Sequence, residues 1–354
     1  INNRSIFNDD KQVIQDKQQI KQENLTIDEK VDQIVASMSQ TEKLGQMVMI
    51  GIQGTKVDDD SLYMLNQYHM GGVILFDRNM ESPEQVKQLT SDLQAQSNEK
   101  VPLFIGIDEE GGDVVRMAEK LTPAPSQKEI GATGDIEQAK TWAIKTAKSL
   151  KDMGINVNFA PVADVGSNDK RSYSTDANTV IDFVRAATKG YQQENIIYSL
   201  KHFPGIGKGK VDSHIDSSSI DVAKEVLMTE DILPFKTIID ESDPNDYFIL
   251  VSHLKYLALD EEYPASLSSK IMTDLLRNKL GYKGIIITDD MEMGAVANHN
   301  DFRSIGVKAV KAGADIVLVC HEYKHQQEVY LGLLDAVNSG EISQERIDES
   351  VKRI

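Results

Sequence analysis

Eight short apolar runs recur between residues 46 and 319: QMVMIGI (46–52), GGVILF (71–76), PLFIGI (102–107), INVNFA (155–160), NIIYSL (195–200), YFILVS (247–252), GIIIT (284–288) and DIVLV (315–319). Most are continuous in Val, Ile, Leu and Phe, so strands formed there are buried on both faces, as in a parallel sheet covered by helices. Helical segments separate them. SPEQVKQLTSDLQAQS opens on Ser82-Pro83, a capping residue followed by a first-turn proline, and DIEQAKTWAIKTAKSLKDMG stops at Gly154. Eight strands, each followed by a helix, are what an α/β fold of the (β/α)8 barrel type requires. An open doubly wound sheet is the competing arrangement, but GIQGTKVDDD after the first run lacks the G-x-G-x-x-G turn. IDEKVDQIVASMSQTEKL (27–44) is expected as one helix leading into the barrel, and SQERIDESVKRI as another at the far end.

A single catalytic domain is therefore expected over residues 27–354. Residues 1–26 are rich in Asn, Gln, Asp and Lys with little apolar periodicity and read as a polar N-terminal extension. A tether left after signal-peptide removal would place the protein outside the cell or at the cell envelope; a cytoplasmic location is the alternative. Lys and Arg number 38 against 56 Asp and Glu, a net charge of −18 that repels nucleic-acid phosphates and anionic membrane surfaces. A small neutral or polar ligand suits that field better. No stretch approaches the roughly 20 apolar residues of a membrane span, and the one cysteine, Cys320, rules out an internal disulfide.

In a (β/α)8 barrel the reactive groups lie just after the strands. There the chain carries DEEGGDVVR (108–116), PVADVGSNDKRSYS (161–174), KHFPGIGKGKVDSH (201–214), HLKY (253–256) and DDMEM (289–293). The third of these is not a phosphate loop: Gly205 and Gly209 are one residue too close for G-x-x-x-x-G-K-[ST], and Val211 stands where the hydroxyl belongs. Its glycines instead predict a mobile arm carrying Asp212 and His214. Imidazole exchanges protons near neutral pH and a neighbouring aspartate fixes its tautomer, so the two form a candidate acid/base dyad; a loop or helix cap is the competing role. A carboxylate at the tip of a buried strand is costly unless paired or used. Asp289 and Asp290 are both candidates for attack on an electrophilic carbon, or for capping the next segment.

Taken together these segments resemble glycoside hydrolase family 3, and within it the β-N-acetylglucosaminidases of the NagZ type. SMSQTEKLGQM, GIDEEGGDVVRM, NFAPVADV with RSYS, KHFPGIGKGKVDSH, YPASLS and GIIITDDMEMGA follow the family's order across most of residues 31–354. The resemblance implies Asp289 as nucleophile, His214 as acid/base with Asp212 as its partner, and sugar-binding roles for Asp108, Arg116, Arg171, Lys201 and His202. It implies a retaining exo-β-N-acetylglucosaminidase acting on peptidoglycan fragments or related oligosaccharides, with no metal or cofactor. A β-glucosidase or β-xylosidase of the same family and a non-catalytic sugar-binding protein are the alternatives. A His–Asp pair also sets less negative charge beside the anomeric carbon than a carboxylate does, which keeps phosphate open as an acceptor.

The chain departs from the family pattern in two places within the acid/base loop: Ile206 stands where a second histidine is usual, and Lys208-Gly209 where Asp-Thr is usual. Asp113 replaces a commonly basic residue at the rim. His253 resembles a family position near the pocket or serves structure alone. Glu292 reads as a helix-start charge and Cys320 as core, and Lys208 and Lys210 as solvated lysines or attractors of an anionic glycan portion.

Overall fold

A computed structural model of the protein describes residues 25–97, 100–166, 170–209 and 218–354. The described residues up to Ser39 and those from Gln40 onward form separate compact units. In the first, a helix spans Ile27–Ser37. Its N-terminus is closed by a capping box, in which the Thr26 side chain accepts from Glu29 N–H and the Glu29 carboxylate reaches back to Thr26 N–H. Met38 is extended (φ −83°, ψ 138°), so the single helix expected over 27–44 is instead two, the second being Gln40–Gln46.

Among its described residues the second unit has ten strands: β1 (Val48–Gly51), β2 (Gly72–Leu75), β3 (Phe104–Ile107), β4 (Val157–Asn158), β5 (Ile197–Phe203), β6 (Ser219–Ile220), β7 (Tyr247–Val251), β8 (Lys255–Tyr256), β9 (Ile285–Thr288) and β10 (Val317–Val319). Eight are parallel neighbours in the order β10-β1-β2-β3-β4-β5-β7-β9. A parallel bridge between Ile287 and Ile316 joins β9 to β10 and brings the ends of the sheet together into a nearly closed (β/α)8 barrel. Every expected strand is present, most of them shortened at their ends, while β5 runs on past the expected 200 to Phe203. The small parallel pair β6–β8 has no counterpart among the eight runs, because its strands are only two residues long and carry no apolar periodicity.

Sequence punctuation sets the helix limits. The Ser82 side chain accepts from Gln85 N–H with Pro83 at the first helical position, and Gly154 ends Ile136–Asp152 at φ +77°. Alternate strand residues fill the barrel interior: Met49, Ile74, Val157, Phe159, Phe248, Leu250, Ile285, Ile287, Ile316, Leu318 and Cys320 form one buried cluster. Gly106 makes room within it. A Cβ there would come within 2.7 Å of the Phe159 ring and 2.8 Å of Met49. At the N-terminal mouth Asp315, fully buried, accepts from Arg277 and Arg353 at 2.8 Å each, from Ser350 Oγ at 2.6 Å and from Ile286 N–H at 2.9 Å. Among the described residues no helix is long and apolar enough to cross a membrane.

Candidate active site

At the opposite mouth, three consecutive carboxylates follow β3 and diverge. Asp108 accepts from Lys201 Nζ at 2.8 Å and Arg116 at 3.3 Å. Burial opposes its ionisation, but Lys201 and Arg116 hold it below the ordinary aspartate range. Glu110 receives Lys201 Nζ at 2.6 Å and a bidentate Arg171 at 2.7 and 2.9 Å. Burial would raise it; Lys201 and Arg171 overcome that and hold it at about 2. Glu109 accepts from Arg116 N–H at 2.9 Å, yet burial outweighs that bond and pushes its carboxyl up to about 7. The 111–114 turn that leads to Arg116 depends on glycine. Gly111 and Gly112 have φ of +102° and +59°, and a Cβ on Gly112 would strike Ser126.

From β5 come Lys201 and His202, both buried. The pull of Asp108 and Glu110 outweighs burial and raises the Lys201 ammonium above its usual range. His202 is oriented by Asp164, which takes the ring Nδ1 at 2.8 Å and the backbone N–H at 3.1 Å, while Nε2 lies 3.3 Å from Arg171. Asp164 also receives Ile206 N–H at 3.0 Å. The unusual isoleucine thus contributes its backbone to the site, and its side chain lies on the cavity wall.

The glycines expected to loosen this loop have a different task at its root. A Cβ on Gly205 (φ +125°) would meet Asp231, and one on Gly207 would overlap the Val165 carbonyl at 1.9 Å. Lys208 is not a solvated lysine either, because its Nζ lies 2.6 Å from buried Asp231 and 3.0 Å from Glu230. Asp212, His214 and Lys210 lie outside the described residues.

After β9 the two aspartates separate in role. Both line the cavity, and Asp289 accepts from Asp290 N–H through Oδ1 at 2.8 Å. Asp290 Oδ1 accepts from Cys320 N–H and Glu292 N–H, both at 3.1 Å, whereas the helix that follows, Gly294–Ala297, has Met293 at its N-cap and no side-chain cap. Glu292 accepts from the backbones of His321 and Glu322, at the start of the helix Tyr323–Asn338, and from His325. Asp290, Glu292 and His321 bring three possible metal ligands within 4.8 Å. Their atoms are already committed: His321 Nε2 faces Asp290 Oδ2 at 3.4 Å, its Nδ1 meets Arg78 at 3.1 Å, and a cation would face that guanidinium.

Asp108, Arg116, Arg171, Lys201, His202 and Asp289 all line one cavity of about 820 Å³ at the C-terminal mouth of the barrel. Asp113 is on its rim, 3.3 Å from Lys170, and Cys320 closes its floor from the barrel core. Sequence reasoning missed Glu110, Asp164, Phe76 and Arg78. The first two stand inside quoted segments as the second partner of a basic residue, a role that only a long-range contact reveals. Phe76 carries both Arg78 (4.7 Å) and Arg116 (5.1 Å) against its ring. Together these groups offer buried donors and acceptors for a hydroxyl-rich ring, with a strand-tip carboxylate across from them.

Residues 39–354 match the model for the glycosyl hydrolase family 3 N-terminal domain. The beta-hexosaminidase A of Pseudoalteromonas piscicida is 35% identical over 322 residues, covering 82% of this chain and 53% of that protein. The beta-hexosaminidase of Nitrosomonas eutropha is 30% identical over 86% of this chain and 90% of its own length. Among solved structures, a glycoside hydrolase family 3 beta-N-acetylglucosaminidase from Paenibacillus sp. superposes with a TM-score of 0.86 at 37% identity, covering 90% of this chain and 61% of that one. The chain thus spans about half the length of the first of these relatives and about three fifths of the third.

Proposed function

The chain belongs to glycosyl hydrolase family 3, and on that premise we propose that it is a retaining exo-β-N-acetylglucosaminidase acting on peptidoglycan-derived fragments or related oligosaccharides. The observation that carries this reading is Asp289, held at a strand tip on the same cavity as Asp108, Arg171, Lys201 and His202. The names borne by the relatives, beta-hexosaminidase and beta-N-acetylglucosaminidase, support the N-acetylated sugar.

In this mechanism the paired cations and carboxylates hold the hydroxyls of the terminal sugar. Asp289 attacks the anomeric carbon as His214, assisted by Asp212, gives a proton to the departing oxygen. A glycosyl ester forms and the glycosidic bond breaks. His214 then takes a proton from water, whose oxygen attacks the anomeric carbon and releases Asp289 with retained configuration.

Turnover of an aryl β-N-acetylglucosaminide tests the proposal. Asp289→Ala is expected to lose ~10⁴-fold or more in kcat and His214→Ala ~10²–10³-fold, a nucleophile against an acid/base. Normal rates in both variants sink it. No turnover by the parent chain, with sugar binding retained, would leave a binding protein instead.

A further inference from the structure

His253 stands directly behind the proposed nucleophile and is almost completely buried. Its Nε2 lies 2.7 Å from the carbonyl oxygen of Asp290, and its Nδ1 lies 2.6 Å from Ser266 Oγ. A carbonyl only accepts, so Nε2 carries the hydrogen, and in the neutral ring Nδ1 accepts from the Ser266 hydroxyl. Ser266 is itself fixed, its N–H donating to the Ser252 carbonyl at 3.0 Å.

Residue 290 is held on its other sides as well. Cys320 and Glu292 N–H groups bind its Oδ1, His321 faces its Oδ2, and Met293 N–H donates to its carbonyl at 3.1 Å. The outcome of this clamping is the direction of one bond: Asp290 N–H donates to Asp289 Oδ1 at 2.8 Å. With Asp289 N–H tied to the Val251 carbonyl at 3.0 Å, that bond fixes the rotation of the Asp289 carboxylate. It occupies Oδ1 and leaves Oδ2 to meet a substrate.

We propose that His253, acting through the Asp290 main chain, is a positioning residue that sets the attack geometry of Asp289. The inference rests on the reading of Asp289 as nucleophile given above. His253 takes no proton from the reaction and touches no substrate; it limits the freedom of the peptide on which the attacking group rides. Misplacement of a reacting group by about 1 Å costs on the order of 10²-fold in rate, and the His253 bond is one of those that hold the peptide carrying the reacting group.

Trapping with a 2-fluoro glycosyl fluoride separates positioning from folding. Mass spectrometry reads both the rate of labelling and the fraction of chains labelled at completion. His253→Ala is expected to label to full stoichiometry at a rate ~10²-fold below the parent, with sugar affinity little changed. His253→Gln supplies an amide donor and acceptor in place of the imidazole's, and is expected to recover at least tenfold of that loss. A merely structural histidine would reduce the fraction labelled and leave the rate alone. Where His253→Ala does not fold, Ser266→Ala removes only the hydroxyl that holds Nδ1 and is expected to slow labelling about fivefold.

Parent-like labelling rates in these variants, or a Gln variant no faster than Ala, overturns the inference. Asp289→Ala serves as the control. If it is inert while His253→Ala labels normally, positioning alone fails; if it still turns over, the nucleophile reading fails and this inference with it.

Discussion

The two mouths of the barrel each bury a charged network, and they use the same chemistry for opposite ends. At the N-terminal mouth a single carboxylate, Asp315, gathers Arg277 and Arg353 at 2.8 Å and Arg346 at 3.9 Å. Burial lowers Arg277 and Arg346 from the usual guanidinium range in spite of Asp315, the mark of more cations than one anion satisfies. These arginines also bind the main chain, Arg277 at the Tyr282 and Gly284 carbonyls and Arg346 at Ala314, so the cluster ties the chain's last helix to the strand ends. At the C-terminal mouth, by contrast, Asp108 and Glu110 share Lys201, Arg171 and Arg116 around an open cavity. A network centred on one fully buried carboxylate ties elements of the fold together. One with an open side can also exchange partners with a ligand, and such groups in (β/α)8 enzymes lie at the C-terminal face.

Removal of Asp315 would test this contrast most severely. Asp315→Ala leaves three partly buried guanidinium groups without their carboxylate, and is expected to cost about 3 kcal/mol in denaturant unfolding while kcat per folded molecule stays within about twofold. A large loss of kcat would show that the two mouths are coupled.

Within the open network, Glu109 is the member without a close cation, and its sign differs from that of Glu110. A carboxyl raised from 4.5 to about 7 in the fold binds a proton that the unfolded chain has already released. Its contribution is therefore lost as pH rises from about 4.5 to above 7, by about 2–3 kcal/mol. Glu109→Gln keeps an acceptor for Arg116 N–H. It is expected to match the parent at pH 4.5 and exceed it by about that amount at pH 8, as read by urea unfolding. Glu110, held at about 2, acts in the other direction: its stabilisation is present above about 4.5 and lost as pH falls toward 2.

The smallest effect belongs to the rim. Asp113 and Lys170 pair at 3.3 Å with both side chains mostly in solvent, so Asp113→Asn is expected to shift stability by less than about 0.5 kcal/mol. A larger change would move the boundary of the buried network outward to include the rim.

The barrel was legible because its signal is local and repeated. Each of the apolar runs became a strand, since a segment buried on both faces writes its environment into consecutive residues. β6 and β8 were not legible, being a two-residue pairing between distant loops. The site was half legible. Asp108, Arg116, Arg171, Lys201, His202 and Asp289 stand at or just after strand ends, the resemblance to the family singled them out there, and the fold brings them onto one cavity. Glu110, Asp164 and His253 were passed over or left undecided because their importance lies in a partner 61, 38 and 37 residues away.

The same limit explains the glycines at 205 and 207. In sequence they read as freedom; in the fold they are close approaches to Asp231 and Val165. By itself, then, the sequence determined the eight barrel strands and their succession along the chain, and with them which end of the barrel carries chemistry, because burial and periodicity act on neighbours along the chain. Which carboxylate meets which cation, and which of two adjacent aspartates is held by the N–H groups of Cys320 and Glu292, only the tertiary structure decided. Ion pairing and hydrogen bonding act through space over a few ångströms, and the distance between partners along the chain leaves no local trace.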